Sequence, residues 1–116
     1  EIICIKEIKE KNIEKIKEKE FIEIQKYLKK DEFNILLWEF GTEYTTSQFY
    51  SKINTINKKI TFVITGPFGA NENLKKLFDL HLSLSKMTFT HEQALYLLIE
   101  QIYRLECIKK NIPYTK

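Results

Sequence analysis

The chain has 116 residues, 43% of them hydrophobic and 30% charged, with a formal net charge of +3. That is enough for one domain with a modest core, and it excludes a disordered or low-complexity protein. No apolar run approaches the roughly 18–20 residues of a membrane span, the start Glu1-Ile2-Ile3-Cys4 lacks the basic head of a signal peptide, and so small a charge only hints at a polyanionic partner.

In chain order, Ile2-Ile3-Cys4-Ile5 reads as a short buried strand. Ile13 to Lys30 carries Ile13, Ile16, Phe21, Ile24, Tyr27 and Leu28 at helical spacing, and its Lys/Glu runs read as a solvated helix face. Phe33 to Trp38 is a second strand-length apolar run, closed by Gly41. Thr45 with Gln48 fits a capping box and predicts a helix to about Asn57 that buries Phe49 and Ile53. Ile60 to Thr65 is the clearest strand, rich in β-branched residues and stopped by Gly66-Pro67.

The loop Gly66-Pro67-Phe68-Gly69-Ala70 then leads to a helix cap at Asn71 or Asn73 and a short helix from Leu74 to Leu80. His81-Leu82-Ser83-Leu84-Ser85 alternates like a brief strand. Thr90 with Gln93 makes a second capping box, opening a last helix to about Lys110 with Leu95, Leu98, Ile99, Ile102 and Leu105 on one face. The tail leaves that helix through Pro113. Strands alternate with helices throughout, which predicts an α/β domain over 1–116: a mostly parallel sheet with helices on both faces.

The chemistry-bearing residues are sparse. The loop after the strongest strand is where an α/β protein binds ligands, and its glycines admit a close backbone approach. It lacks the Lys-Ser/Thr of a P-loop and the third glycine of a dinucleotide fingerprint, so a simple tight turn explains it equally well. Ser83, Ser85, Lys86, Thr88 and His91 form a polar cluster, but no GxSxG elbow accompanies the serines. His91 stands in the first turn of the last helix, where a surface residue and a proton acceptor are both open readings. Glu100 and Arg104, the only arginine, are spaced to pair along the helix. Cys4 and Cys107 have no metal-ligand spacing and read as reduced, buried thiols, and no metal site is expected. The residues alone thus reach a ligand-binding α/β domain.

Four blocks carry a resemblance beyond that. Leu82 to His91, followed by Leu98 to Arg104, closely resembles the LSxSKMTFPH and LIEQxYRA segments of the ribosomal RNA large-subunit methyltransferase H family. Ile64 to Gly69 looks like its IGGxxG loop, Leu37 to Gly41 like its LDExG turn, and Lys17 to Glu20 like its KEKEG helix start. The blocks register without a gap from Lys17 to Arg104, so the resemblance covers most of the chain. It implies the SPOUT fold with a C-terminal trefoil knot, otherwise nearly unknown among proteins. It implies a homodimer, S-adenosyl-L-methionine as methyl donor, and N3 of a pseudouridine in large-subunit ribosomal RNA as acceptor. It also implies a strand and helix ahead of Glu1.

By position, the cofactor pocket would use Leu37, Thr65, Gly66, Leu84, Ser85, Lys86, Met87, Thr88 and Phe89. His91 would be the catalytic or substrate-positioning group, and Arg104, Tyr114 and Lys116 would serve the RNA side or the dimer. The implied location is the cytoplasm, or an organelle in a eukaryote, with no membrane partner.

The chain departs from the family at Thr65, which replaces the first loop glycine, and at Thr90, which replaces the proline before the histidine. Leu95 stands for an arginine and Thr115 for a histidine. These leave open a second reading, a relative that binds RNA or ribosomes without turnover.

Overall fold

The computed structural model describes residues 2–4, 11–66 and 71–114. Four strands and four helices follow one another as β1 (Ile2–Cys4), α1 (Ile13–Gln25), β2 (Phe33–Glu43), α2 (Thr46–Asn54), β3 (Ile60–Ile64), α3 (Glu72–Lys75), β4 (Leu80–Ser83) and α4 (His91–Lys109). All the strand pairs are parallel, in the spatial order β1-β3-β2-β4.

Side-chain alternation on the central strands divides the core in two. Ile35, Leu37, Phe62, Ile64 and Leu82 face one way and pack with Phe49 of α2 and with Leu98 and Leu105 of α4. Leu36, Val63 and Ile3 face the other way, against Ile24 of α1 and Leu74 of α3. The sheet therefore has helices on both faces, as expected for parallel strands that read as continuous apolar runs.

Both capping boxes form, Thr45 with Gln48 and Thr90 with Gln93. Asn12 caps α1 and Asn71 caps α3. Three expectations need correction. The helix expected over Leu74 to Leu80 is only four residues long, because Leu80 already belongs to β4 and pairs with Ile35. On α4, Ile99 is exposed, whereas Cys107, off the expected stripe, is buried. Finally, the chain turns back before Pro113, at Asn111 (φ 56°). There the Ile112 amide donates to the Cys107 carbonyl (2.8 Å) and the Asn111 amide to that of Ile108 (3.2 Å). Together these bonds form a Schellman end, with Asn in the left-handed position.

β2 also runs beyond the expected Trp38. Leu82 of β4 is the partner of both Leu37 and Thr42, so Trp38, Glu39, Phe40 and Gly41 form a bulge at the sheet's C-terminal end. The bulge presses Gly41 onto β4: a Cβ there would lie 2.5 Å from the His81 carbonyl oxygen and 2.7 Å from its carbon. Backbone cannot yield as a side-chain tip does. Gly41→Ala is expected to destabilise the fold by about 1–3 kcal/mol, the usual range for overpacking. Urea unfolding measures this, and an unchanged midpoint would mean that β4 is free to shift.

Candidate active site

The C-terminal ends of β2, β3 and β4, the 84–90 loop and the first turn of α4 enclose a cleft of about 850 Å³. This is the end of a parallel sheet at which ligands bind in open α/β folds. Of the residues singled out by position, Leu37, Thr65, Gly66, Leu84, Ser85, Met87, Thr88, Phe89 and His91 all line it. Lys86 does not: its side chain stands in solvent, 3.9 Å from Glu43. Lys116 lies outside the described residues, as do Thr115 and the loop 67–70.

Hydroxyl groups tie the loop to the bulge. The Ser83 hydroxyl donates to the Ser85 carbonyl (2.8 Å), with the Glu39 carbonyl (3.0 Å) as its second acceptor. The Thr88 hydroxyl donates to the Glu39 carboxylate (2.5 Å), and the Met87 amide donates to the Ser85 hydroxyl (3.0 Å). The serines are thus structural, and Ser85 Oγ is spent on a turn rather than free for attack. Thr65 sits in ordinary backbone, since Asn111 is the only described non-glycine residue with positive φ.

Glu20 is the residue that reading the sequence missed. It is 2% exposed, although it stands in a Lys/Glu run expected to be solvated. Its carboxylate accepts the Gly66 amide (3.3 Å), and it fills the space that any Cβ at position 66 would need. Burial pushes its carboxyl up from the ordinary value; the Gly66 hydrogen bond and nearby His91 pull the other way. The signal lay in the KEKEG-like block, whose last member is Glu20.

Arg104 and Tyr114 come together, but away from the cleft. Arg104 Nε donates to both Glu100 oxygens (2.8 and 2.9 Å), and the Tyr114 hydroxyl donates to Glu100 (3.1 Å). The guanidinium lies 5.1 Å from the Tyr114 ring centroid, and Tyr103 meets that ring edge-on. At about 1.5 Å per residue, Arg104 stands roughly 20 Å along α4 from His91. The two cannot hold one small ligand within a single chain. Leu95 packs against the core on the α2/α4 side and does not line the cleft.

Among the described residues no group of His, Cys, Asp and Glu side chains could hold a metal ion, and no helix is long and apolar enough to cross a membrane. Cys4 and Cys107 are free, and burial, helped by Glu92, raises the Cys4 thiol.

Residues 1–115 match the family model described as "Predicted SPOUT methyltransferase". A ribosomal RNA large subunit methyltransferase H of Parabacteroides distasonis is 40% identical over 114 residues, covering 95% of this chain and 73% of that protein. The chain belongs to this methyltransferase family. Relatives of the same name from Prochlorococcus marinus (strain NATL2A) and Mycoplasmopsis synoviae (strain 53) are 42% and 43% identical. They match 97% and 99% of this chain and 75% and 77% of their own lengths. The family's motif blocks and the cleft coincide: Leu37, Thr65-Gly66, and Leu84, Ser85, Met87, Thr88 and Phe89 come from three separate blocks and meet at one place.

Glu20 gives the site a pH signature. A carboxyl raised in the folded state favours the fold below its unfolded value, and that contribution is lost as pH rises through the folded value. Glu20→Gln keeps an acceptor for Gly66 but cannot ionise. Its midpoint of thermal unfolding, relative to wild type, is expected to climb as pH rises above the ordinary carboxyl range. Parallel curves would show that Glu20 ionises without penalty.

Proposed function

We propose that the protein is an S-adenosyl-L-methionine-dependent methyltransferase that modifies N3 of a pseudouridine in large-subunit ribosomal RNA. The observation that carries this reading is the convergence of the three family blocks on one cleft with His91 at its wall. The cleft suits a nucleoside cofactor. Leu37, Leu82, Leu84 and Phe89 supply apolar walls, and the turns at Thr65-Gly66 and Ser85-Thr88 supply backbone groups outside any helix or strand. Such pockets combine apolar walls with a few placed polar groups. Bound there, the cofactor supplies a methyl group activated on a sulfonium.

The chain's own part is to bind, to orient and to take up a proton. The Ser83, Ser85 and Thr88 bonds hold the 84–90 loop in one shape, and Glu20 fixes Gly66 from behind. Correct placement of the acceptor nitrogen is worth most of the catalysis in such a transfer. The imide proton at N3 must leave, and His91 is the residue in the cleft whose type accepts a proton near neutral pH. Lys17 and Lys75 line the same cleft; Lys75 is paired with Glu72 (3.0 Å), which leaves Lys17 to add charge for a phosphate backbone.

The reading includes a C-terminal trefoil knot and a homodimer, in the cytoplasm or an organelle. Tyr96, Ile99 and Tyr103 support the dimer: they share one face of α4 and are all exposed. Arg104 and Tyr114 belong to this end of the helix, so their part lies with the dimer surface or with RNA beyond the cleft. Of the departures that favour binding without turnover, Thr65 sits in unstrained backbone and Leu95 lies outside the cleft.

Ribosomes lacking the modification should be methylated at the pseudouridine when protein and cofactor are added; no transfer at that base would sink the assignment. His91→Ala is expected to lower kcat by roughly 10²–10⁴-fold, the range for a lost general base, with cofactor affinity by calorimetry unchanged. Ile99→Asp should turn a sedimenting dimer into a monomer, and a wild-type monomer at the same concentration would dismiss the dimer.

A further inference from the structure

The bulge in β2 does more than close the cleft. It carries two aromatic rings, Trp38 and Phe40, and both line the cleft. Phe40 is 73% exposed, as is Met87 (74%) on the 84–90 loop. An apolar ring so open at the lip of a site forgoes burial that the core would otherwise have gained. The ring is nonetheless held firmly. Trp38 meets it edge-on at 5.5 Å and 73°, and His81 braces Trp38 edge-on at 5.6 Å. Lys75 Nζ sits 4.0 Å from the Trp38 ring centroid, and His81 Nε2 donates to the Lys75 carbonyl (2.7 Å). Glu39, between the two rings, is anchored by Ser83 and Thr88. The LDExG pattern has an acid where this chain has Trp38, so the platform belongs to this sequence.

We propose that Phe40, braced by Trp38, is a stacking platform for an unpaired nucleobase of the RNA, a neighbour of the nucleotide in the cleft. This rests in part on the function proposed above. A base is the occupant that fits: it offers a flat π-face of any sequence to an open aromatic ring, and its phosphates meet the ammonium group of Lys17 in the same cleft, Lys75 being paired with Glu72 (3.0 Å). A second copy of the chain would match the ring but not the Lys17 charge, which a nucleic acid matches as well. The platform selects single-stranded substrate, because a paired base keeps its faces stacked within the helix.

Trp38 is the only tryptophan, so its fluorescence reports on the platform directly. The protein, saturated with S-adenosyl-L-methionine so that cofactor adenine adds no further signal, is titrated with a short single-stranded RNA. An abasic strand of equal length and the corresponding duplex serve as controls. The single strand is expected to quench Trp38, with the controls weaker. Phe40→Ala should weaken binding of the single strand by roughly tenfold and Phe40→Tyr should preserve it, as aromatic stacking requires. Phe40 is exposed, so neither change threatens folding. Equal affinity for the abasic strand, or an unchanged affinity in Phe40→Ala, would overturn the platform. So would loss of self-association in Phe40→Ala, since the ring would then face a second copy. The outcomes separate the two readings. Stacking without methyl transfer to ribosomes removes the proposed function and leaves the platform. Transfer by Phe40→Ala with an unchanged KM for ribosomes removes the platform and leaves the function.

Discussion

Burial of β2 and β3 on both faces is the constraint from which the rest of this structure follows. Leu36 and Val63 reach zero exposure on one face and Ile35 on the other, so no polar function can sit along the middle of these strands. Chemistry is confined to the strand ends, and the two ends have divided the work. At the N-terminal end, Asp79 accepts the Asn34 amide (2.7 Å) and Glu32 accepts the Thr61 hydroxyl (3.0 Å). Each ties a strand residue to the residue just ahead of a neighbouring strand, and the Asn34 side-chain oxygen is left buried without a hydrogen-bond partner. At the C-terminal end the strands stop at different heights, and the gap between them is the cleft.

The cleft wall depends on two close approaches, each made at a glycine and each for a different reason. Gly41 lets the bulge of β2 lie against the β4 backbone at His81, which brings Glu39 within reach of Ser83 and Thr88. Gly66 makes room for the buried carboxylate of Glu20 from α1. A buried carboxylate is an expensive way to support a loop; among the described residues its hydrogen-bond donor is the Gly66 amide. Helix α1, otherwise a scaffold on the opposite face from α4, is thereby coupled to the site.

Much of this was legible in the residues. Periodicity and capping signals place all four strands and helices, because β-branched runs and Thr-x-x-Gln boxes act locally. The two-layer cover of the sheet follows from alternation alone. What stayed hidden depends on distant neighbours. Glu20 looks like its solvated companions Glu14, Glu18 and Glu23, and only the packing of α1 against the loop after β3 distinguishes it. The bulge hides in the same way: Trp38 to Gly41 continues an apolar run whose register is set by β4, about forty residues later. The residues that line the cleft became legible through the resemblance of whole blocks, which knows what shape of backbone three segments make together. Composition and spacing know nothing of that. Lys86 shows the limit of such transfer: it sits inside the best-matched block and still points away from the cleft.

Helix α4 is where the two ends of the molecule's task meet. Its first residue, His91, is in the cleft, while Arg104 lies nearly four turns away with its charge already engaged. Arg104 and Tyr114 hold the Glu100 carboxyl below its ordinary value, Arg104 foremost. A guanidinium drawn so closely to a carboxylate is a poor hook for phosphate unless the ligand displaces that partner. It is better suited to fixing the tail, which the Schellman turn at Asn111 has folded back over Tyr103. Pinned there, Tyr114 extends the exposed apolar face of Tyr96, Ile99 and Tyr103. The sole arginine thus shapes a surface for contact, and the basic residues along the cleft are lysines, Lys17 and Lys75.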